Sequence, residues 1–373
     1  MKKKKIIAVN TPLITEKDAL EVYKVVKSGW ISSAGSKIRD FEKGLSKLVN
    51  RNYACCVSSG TAALEIAIKS LNIKKGSEII TPTFSIVSNV NAIIKNNLKP
   101  VLIDTDISTW NIDIEDFQKK INKKTKALML PHIYGFANDM DKIIKICKKN
   151  NLLLIEDAAE MIGQNYKNKP CGSFGDISIF SFYANKHITT GEGGAIFTND
   201  KKINEKCKNL RNLSFGKVNR FNHEDISWNY RFTNIQATLG LSQLKRINKI
   251  IKKKKEIGNF FYNNLKNNNK IIIQKPSIDY SENIYWVFGI LVKQSNRKKT
   301  QQLRKKLLNL GVETRDFFWP MHKQNIFKKM KLFKNQRFPI AEYLSNNGFY
   351  IPSGLGLKKS EMMIICKYIN KIL

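Results

Sequence analysis

The chain has 373 residues, 65 of them Lys or Arg against 30 Asp or Glu, for a formal charge of +35, and 42% are apolar. That apolar share supports a sizeable core and excludes a disordered chain. No run approaches the ~20 apolar residues of a membrane helix, and the N-terminus turns polar before a signal-peptide core develops, so a cytoplasmic protein with no membrane partner is expected. The charge would attract phosphates, but the lysines are spread along the chain with runs only at 2–5 and 252–255. No nucleic-acid motif accompanies them, so nucleic acid is not expected as a partner and an anionic substrate is.

From about residue 50 to 200, short apolar runs alternate with longer amphipathic stretches. Val-Ser-Ser-Gly-Thr at 57–61 reads as a strand end, a turn and a helix start, with a helix over 61–71. Buried strands are expected at 78–81, 100–104, 127–130, 152–155, 177–180 and 194–197, with a helix over 140–150. This pattern implies an α/β fold with a mostly parallel, mixed sheet flanked by helices. Little helix separates the last three strands, which points to an antiparallel portion there. A long basic helix is expected over 235–265, then a strand at 285–292, a helix over 300–310 ended by Gly311 and a last helix near 358–372. The expected division is a large domain over 1–245, followed by a linking helix and smaller C-terminal α/β domain over 246–373.

Two clusters carry chemistry. Lys186 lies in Ser-Phe-Tyr-Ala-Asn-Lys-His-Ile-Thr-Thr-Gly-Glu-Gly-Gly at 181–194, and Asp157 follows an apolar run 29 residues earlier. A lysine amine holds an aldehyde cofactor as a Schiff base, and a buried carboxylate keeps the cofactor's ring nitrogen protonated, so the pair points to pyridoxal 5′-phosphate. A solvated lysine and a helix-capping aspartate are the plain alternatives, but a surface lysine needs none of the small residues around Lys186. The turn at Gly60 and Thr61 is either an anion site built on helix N–H groups or an ordinary cap, and Ser181 is placed to donate to the same phosphate. The glycines at 191, 193 and 194 suit a tight passage around a ring as well as a hairpin turn. Arg231 and Arg315 suit a carboxylate or a diphosphate. His322 is read as a substrate contact or a structural side chain, and the four histidines have no metal-ligand spacing, so no metal is expected. The six cysteines form no framework and read as small buried hydrophobes.

Together these stretches resemble the DegT/StrS-type family of pyridoxal-phosphate sugar aminotransferases, of fold type I. The resemblance runs nearly end to end. It also takes in Gly-Trp-Ile-Ser-Ser at 29–33, Thr-Pro-Thr-Phe at 81–84, Glu-Asp-Ala-Ala-Glu at 156–160, the stretch 228–237, Gly-Val-Glu-Thr-Arg at 311–315 and Tyr-Ile-Pro-Ser-Gly at 350–354. It implies Lys186 as the catalytic Schiff-base lysine, Asp157 on the pyridine nitrogen and Glu160 near the ring hydroxyl. It further implies Gly60, Thr61 and Ser181 on the phosphate, joined by Asn229 from a partner subunit, and hence a homodimer with shared active sites. Where relatives commonly place an aromatic against the ring, this chain has Ile86. Residues 181–194 and 315–322 look closest to the branch that moves an amino group from L-glutamate to GDP-4-keto-6-deoxymannose for surface polysaccharide. Another nucleotide-linked keto-sugar, a small phosphorylated ketone, or a non-catalytic regulatory protein of the same fold are the alternatives. A related dehydratase carries histidine in place of the lysine, so Lys186 favours amination.

Overall fold

The computed structural model describes residues 6–216 and 218–373, and the lysine run at 2–5 lies outside them. In chain order, strands β1 (Tyr53–Val57), β2 (Glu78–Pro82), β3 (Lys99–Ile103), β4 (Thr125–Pro131) and β5 (Leu153–Asp157) are followed by a small hairpin, β6 (Asn165–Tyr166) and β7 (Lys169–Pro170). After it come β8 (Ile177–Ser181) and β9 (Gly194–Thr198). Among the described residues, seven of these form one sheet in the order β1-β9-β8-β5-β4-β2-β3. Only β9 runs against its neighbours. Its connection from β8, a helix-free loop over 182–193, returns alongside and carries Lys186, whereas the longer helix-free connection from β5 to β8, which takes in the small hairpin, joins parallel strands.

The strands read as continuous apolar runs because helices cover both faces of the sheet. Cys56, Ile80, Leu128, Leu154, Phe180 and Phe197 pack into one core. Their strand neighbours Cys55, Ile79, Ala127, Ile155, Ile179 and Ile196 pack into another. All six cysteines are free and buried. Helix Gly60–Ser70 is apolar nearly all round, and residues 62–68 are buried. Such a helix can only sit inside the protein. Two N-terminal helices that the apolar periodicity had not signalled, Glu16–Lys27 and Ser36–Leu48, precede the sheet. The first is closed by a capping box in which Thr15 and Asp18 bond each other's backbone.

The single helix expected over 235–265 is two, Asn234–Leu244 and Ile247–Leu265. Arg246 leaves the helical region at φ −120° and ψ 21°. Its guanidinium bonds the Asp18 carboxylate and the Leu13 carbonyl. A tertiary anchor on the N-terminal helix thus interrupts a periodicity that continues across it. The second helix leads to a four-stranded antiparallel sheet made of β10 (Ile271–Ile273), β13 (Phe288–Val292), β14 (Arg315–Asp316) and β15 (Gly348–Ile351), in the order β10-β13-β15-β14. A minor hairpin, β11 (Ser277–Ile278) with β12 (Ser281–Glu282), lies between its first two strands.

The strand expected from 285 begins only at Phe288, because Tyr285 is left-handed at φ 50°. This turn is wedged against Gly135, itself at φ 145°. A Cβ there would lie 2.1 Å from Asn283 Oδ1 and 2.7 Å from the Tyr285 nitrogen. Asn283 Oδ1 accepts from the Tyr285 N–H at 2.7 Å, and the Gly135 carbonyl accepts from Ile284 at 3.2 Å. The C-terminal part is thereby fixed to the loop after β4, beside the sheet's carboxyl edge.

Candidate active site

A cavity of about 360 Å³ opens at the carboxyl ends of β5 and β8 and at the start of helix Gly60–Ser70. Ligands of open α/β sheets gather at such an edge. Gly60, Thr61, Ile86, Asp157, Glu160, Ser181 and Lys186 all line it. These seven span 186 − 60 = 126 positions of sequence, and the crossovers of the sheet bring them together.

Asp157 ends β5. Its Oδ1 accepts from the Ala159 N–H at 3.1 Å. Burial pushes its carboxyl up, against the Ala159 amide and the Lys186 charge. Fully buried Asn89 lies alongside, with both amide atoms lacking a hydrogen-bond partner of normal length. Glu160 accepts from the Tyr134 N–H at 2.7 Å. Burial pushes it up to about 8, with Lys186 opposing. Lys186, on the loop between β8 and β9, is half-buried. Burial lowers its pKa, and Glu160 and Asp157 act against that. Its Nζ sits 3.7 Å from the centroid of the Trp286 ring.

The loop is a closed turn. Phe182 N–H donates to the Gly193 carbonyl at 2.9 Å and Thr190 N–H to the Phe182 carbonyl at 3.0 Å. Gly191 and Gly193 have φ of 80° and 154°. Gly60 approaches Ser181 so closely that a Cβ would meet Ser181 Cβ at 2.9 Å, and one on Gly194 would meet the Ser59 carbonyl oxygen at 2.5 Å. Ser59 caps helix Gly60–Ser70 by accepting from Ala62 at 3.0 Å, which leaves the N–H groups of Gly60 and Thr61 without intrahelical partners. Thr61 and Ser88 hydroxyls pair at 2.8 Å beside them.

These residues fit pyridoxal phosphate. Two buried carboxyls face one lysine, a shortage of positive charge that a protonated pyridine nitrogen makes good. Free first-turn amides with the hydroxyls of Thr61, Ser88 and Ser181 suit a phosphate. Asn185 Oδ1 is buried without a partner and lines the same cavity.

Other candidates lie elsewhere. Arg315 borders an adjoining cleft of about 340 Å³ with Asn185, Trp286 and Tyr350, and pairs with Glu313 at 2.8 Å. Asn229 bridges to Asn212, and Arg231 donates to the Asn212 side chain at 2.9 Å; neither lines the cavity of its own chain. His322 is buried with both ring nitrogens engaged, Nδ1 by Thr83 Oγ1 at 2.9 Å and Nε2 by Glu342 at 3.0 Å. Trp286, His132, Phe318 and Tyr350 also line the cavity and were not singled out from sequence. Trp286 and Tyr350 come from the C-terminal sheet region, which no spacing rule connects to position 186.

His132, Glu156 and Cys171 bring ligand-type atoms within 4.8 Å of one another. The Asn138 N–H donates to His132 Nδ1 at 3.0 Å, so Nε2 carries the proton and donates to Glu156 at 3.2 Å. Glu156 also accepts from the amides of Gly172, Phe174 and Gly175. Its lone pairs are taken up in bracing the loop before β8, and the cluster is a hydrogen-bonded strut.

Glu160 makes a pH prediction. Its folded pKa of about 8 lies above the ordinary glutamate value of ~4.3. The unfolded chain therefore binds fewer protons between these values, and Glu160 costs stability progressively as pH rises through that window. Glu160→Gln is expected to stabilise the cofactor-free protein by on the order of 2–4 kcal/mol more at pH 8 than at pH 5. Denaturant melts at both pH values check this, and parallel changes in the two proteins would contradict it.

Residues 12–370 match the DegT/DnrJ/EryC1/StrS aminotransferase family. The chain is 38% identical over 367 residues to a GDP-perosamine synthase of Escherichia coli O157:H7, covering 98% of each, and 35% identical to one of Vibrio cholerae, again covering 98% of each. Among solved structures, Helicobacter pylori PseC, an aminotransferase involved in the biosynthesis of pseudoaminic acid, superposes with a TM-score of 0.93 at 27% identity, covering 99% of both chains. A family match of that length takes in both sheets and the lysine loop, and the chain belongs to the DegT/DnrJ/EryC1/StrS aminotransferase family.

Proposed function

We propose that this aminotransferase moves the amino group of L-glutamate to C4 of GDP-4-keto-6-deoxymannose and so makes GDP-perosamine for surface polysaccharide. Pyridoxal 5′-phosphate is its cofactor, and when bound it supplies an aldehyde for the amine and a cationic ring that accepts electrons from the amino acid's alpha carbon. Lys186 is the covalent partner of that aldehyde and, once freed, carries the proton from the alpha carbon. A base must be neutral, and burial lowers the lysine in that direction. Asp157 holds the proton on the ring nitrogen. Glu160 bonds the ring hydroxyl, Ile86 packs on the ring with aliphatic surface, and Gly60, Thr61 and Ser181 hold the phosphate. Arg231 and Arg315 are proposed on the substrate side, with Arg315 in the cleft that adjoins the cavity; His322, whose two ring nitrogens are taken by Thr83 and Glu342, is not.

Asn229 and Arg231 lie outside their own chain's cavity, which supports a homodimer in which Asn229 of a second copy completes the phosphate site. Among the described residues no helix is long and apolar enough to cross a membrane, in keeping with a cytoplasmic enzyme.

The observation that carries the reading is the gathering of Lys186, Asp157 and an open helix start in one cavity. The identity to the two GDP-perosamine synthases supports the acceptor. Purified protein given L-glutamate and a panel of nucleotide-linked keto-sugars is expected to release 2-oxoglutarate and amino sugar one for one. GDP-4-keto-6-deoxymannose should be preferred by at least about tenfold in kcat/KM. Equal rates across the panel would discard the acceptor. No 2-oxoglutarate with any sugar would discard the aminotransferase.

A further inference from the structure

One indole ring makes two contacts with consecutive residues of the lysine loop. Its face lies 3.7 Å from Lys186 Nζ, and its Nε1–H donates to the Asn185 carbonyl at 3.1 Å. The ring belongs to Trp286, which is 7% exposed and lies just ahead of β13, in the C-terminal part of the chain. It is held firmly. The left-handed Tyr285 before it is wedged on Gly135 and bonded by Asn283, and the Tyr134 ring packs against it at 5.9 Å.

We propose that Trp286 is the positioning residue for Lys186: its face holds the amine whenever that amine is free and protonated, and its N–H fixes the backbone from which the lysine stem springs. This rests on the aminotransferase reading of the cavity and goes beyond it, since it assigns where the amine stands between its two tasks. Ionisable groups on several sides act on the same nitrogen. Asp157 and Glu160 attract it from β5 and the turn after it. Glu192 and Tyr350 line the cavity with it. His187, next in the chain, is held neutral by burial and by buried Lys254, pushed down to about 3. Without an aromatic face, only the carboxyls would set the amine's position, and both are needed elsewhere. An indole face attracts the ammonium without taking a hydrogen bond from it, so the amine is retained yet released when it loses its proton. Trp286 also couples the C-terminal part to the chemistry, because any shift of the 283–286 turn moves the resting place of the amine.

The test uses cofactor-free protein first. In an alkaline titration, wild-type tryptophan emission is expected to show a step that Lys186→Met lacks, as Trp286 loses its neighbouring ammonium. The pKa of Lys186, read from the pH dependence of its acylation by peptide mass spectrometry, is expected to stay within about 0.3 unit in Trp286→Phe, which keeps an aromatic face. It should fall by about one unit in Trp286→Met, which keeps volume and loses the face. With cofactor and both substrates, Trp286→Met should lower kcat about tenfold and leave KM within about twofold. Identical emission titrations of wild type and Lys186→Met, or an unshifted Lys186 in Trp286→Met, would overturn the proposal. If Trp286→Met does not fold, the emission comparison still decides. A wild-type protein that takes up no pyridoxal phosphate would instead remove the aminotransferase reading, which the cofactor-free measurements do not depend on.

Discussion

Lys186→Ala is expected to lower amination by at least about 10⁴-fold and to abolish the near-visible absorbance of lysine-bound cofactor. The size follows from the lysine's two tasks. It is the proposed covalent partner of the aldehyde and, among the described residues, the one amine that lines the cavity, where the other ionisable side chains are His132, Asp157, Glu160, Tyr183, Glu192 and Tyr350. None of these is a primary amine, so none can form a Schiff base with an aldehyde. His132 Nδ1 is occupied by Asn138 and its Nε2–H by Glu156, and both carboxyls are pushed upward by burial, toward the protonated form. A small amine added to the variant should restore part of the proton transfer, since the cavity vacated by the side chain admits it. Turnover above about one part in a hundred, with the absorbance retained, would remove Lys186 from its role.

Asp157→Asn is the second large effect, with kcat expected to fall by about 10²–10³-fold while folding is retained. An amide of the same shape keeps an acceptor for the Ala159 N–H but no longer offers a charge to hold a proton on the ring nitrogen. Removing one partner of a buried ion pair costs roughly 3–5 kcal/mol, and Asp157 would be that partner for a protonated ring nitrogen. Lys186 then faces Glu160 alone. The bound cofactor's absorbance should titrate at lower pH in the variant than in wild type, and stopped-flow traces of the glutamate half-reaction should show the slowing in that step. A variant within about threefold of wild type in this half-reaction would mean that Asp157 acts only as the cap of its own turn.

Much of the sheet was legible because buried parallel strands leave uninterrupted apolar runs, and every expected strand between 78 and 197 is present within two residues at each end. The antiparallel return of β9 was legible from the shortness of the β8–β9 connection. The boundaries that shifted did so for tertiary reasons. Arg246 breaks an otherwise continuous helical periodicity to reach Asp18, and the φ of 50° at Tyr285 trims a strand whose apolar run begins earlier. His322 shows the limit from the other side: an imidazole among aromatic residues reads alike whether it points to a substrate or is clasped between Thr83 and Glu342.

By itself the sequence determined the cofactor chemistry, because a lysine among small residues and a carboxylate at a strand end are local requirements written in local residue types. It also determined the sheet, through the unbroken apolar runs that two covered faces demand. Only the tertiary structure decided that Trp286 stands over the Lys186 amine and that Arg231 and His322 sit away from it. Those are matters of distance between residues up to about a hundred positions or more apart, set by how strands cross and where glycines let backbones touch, and no periodicity in the chain encodes them.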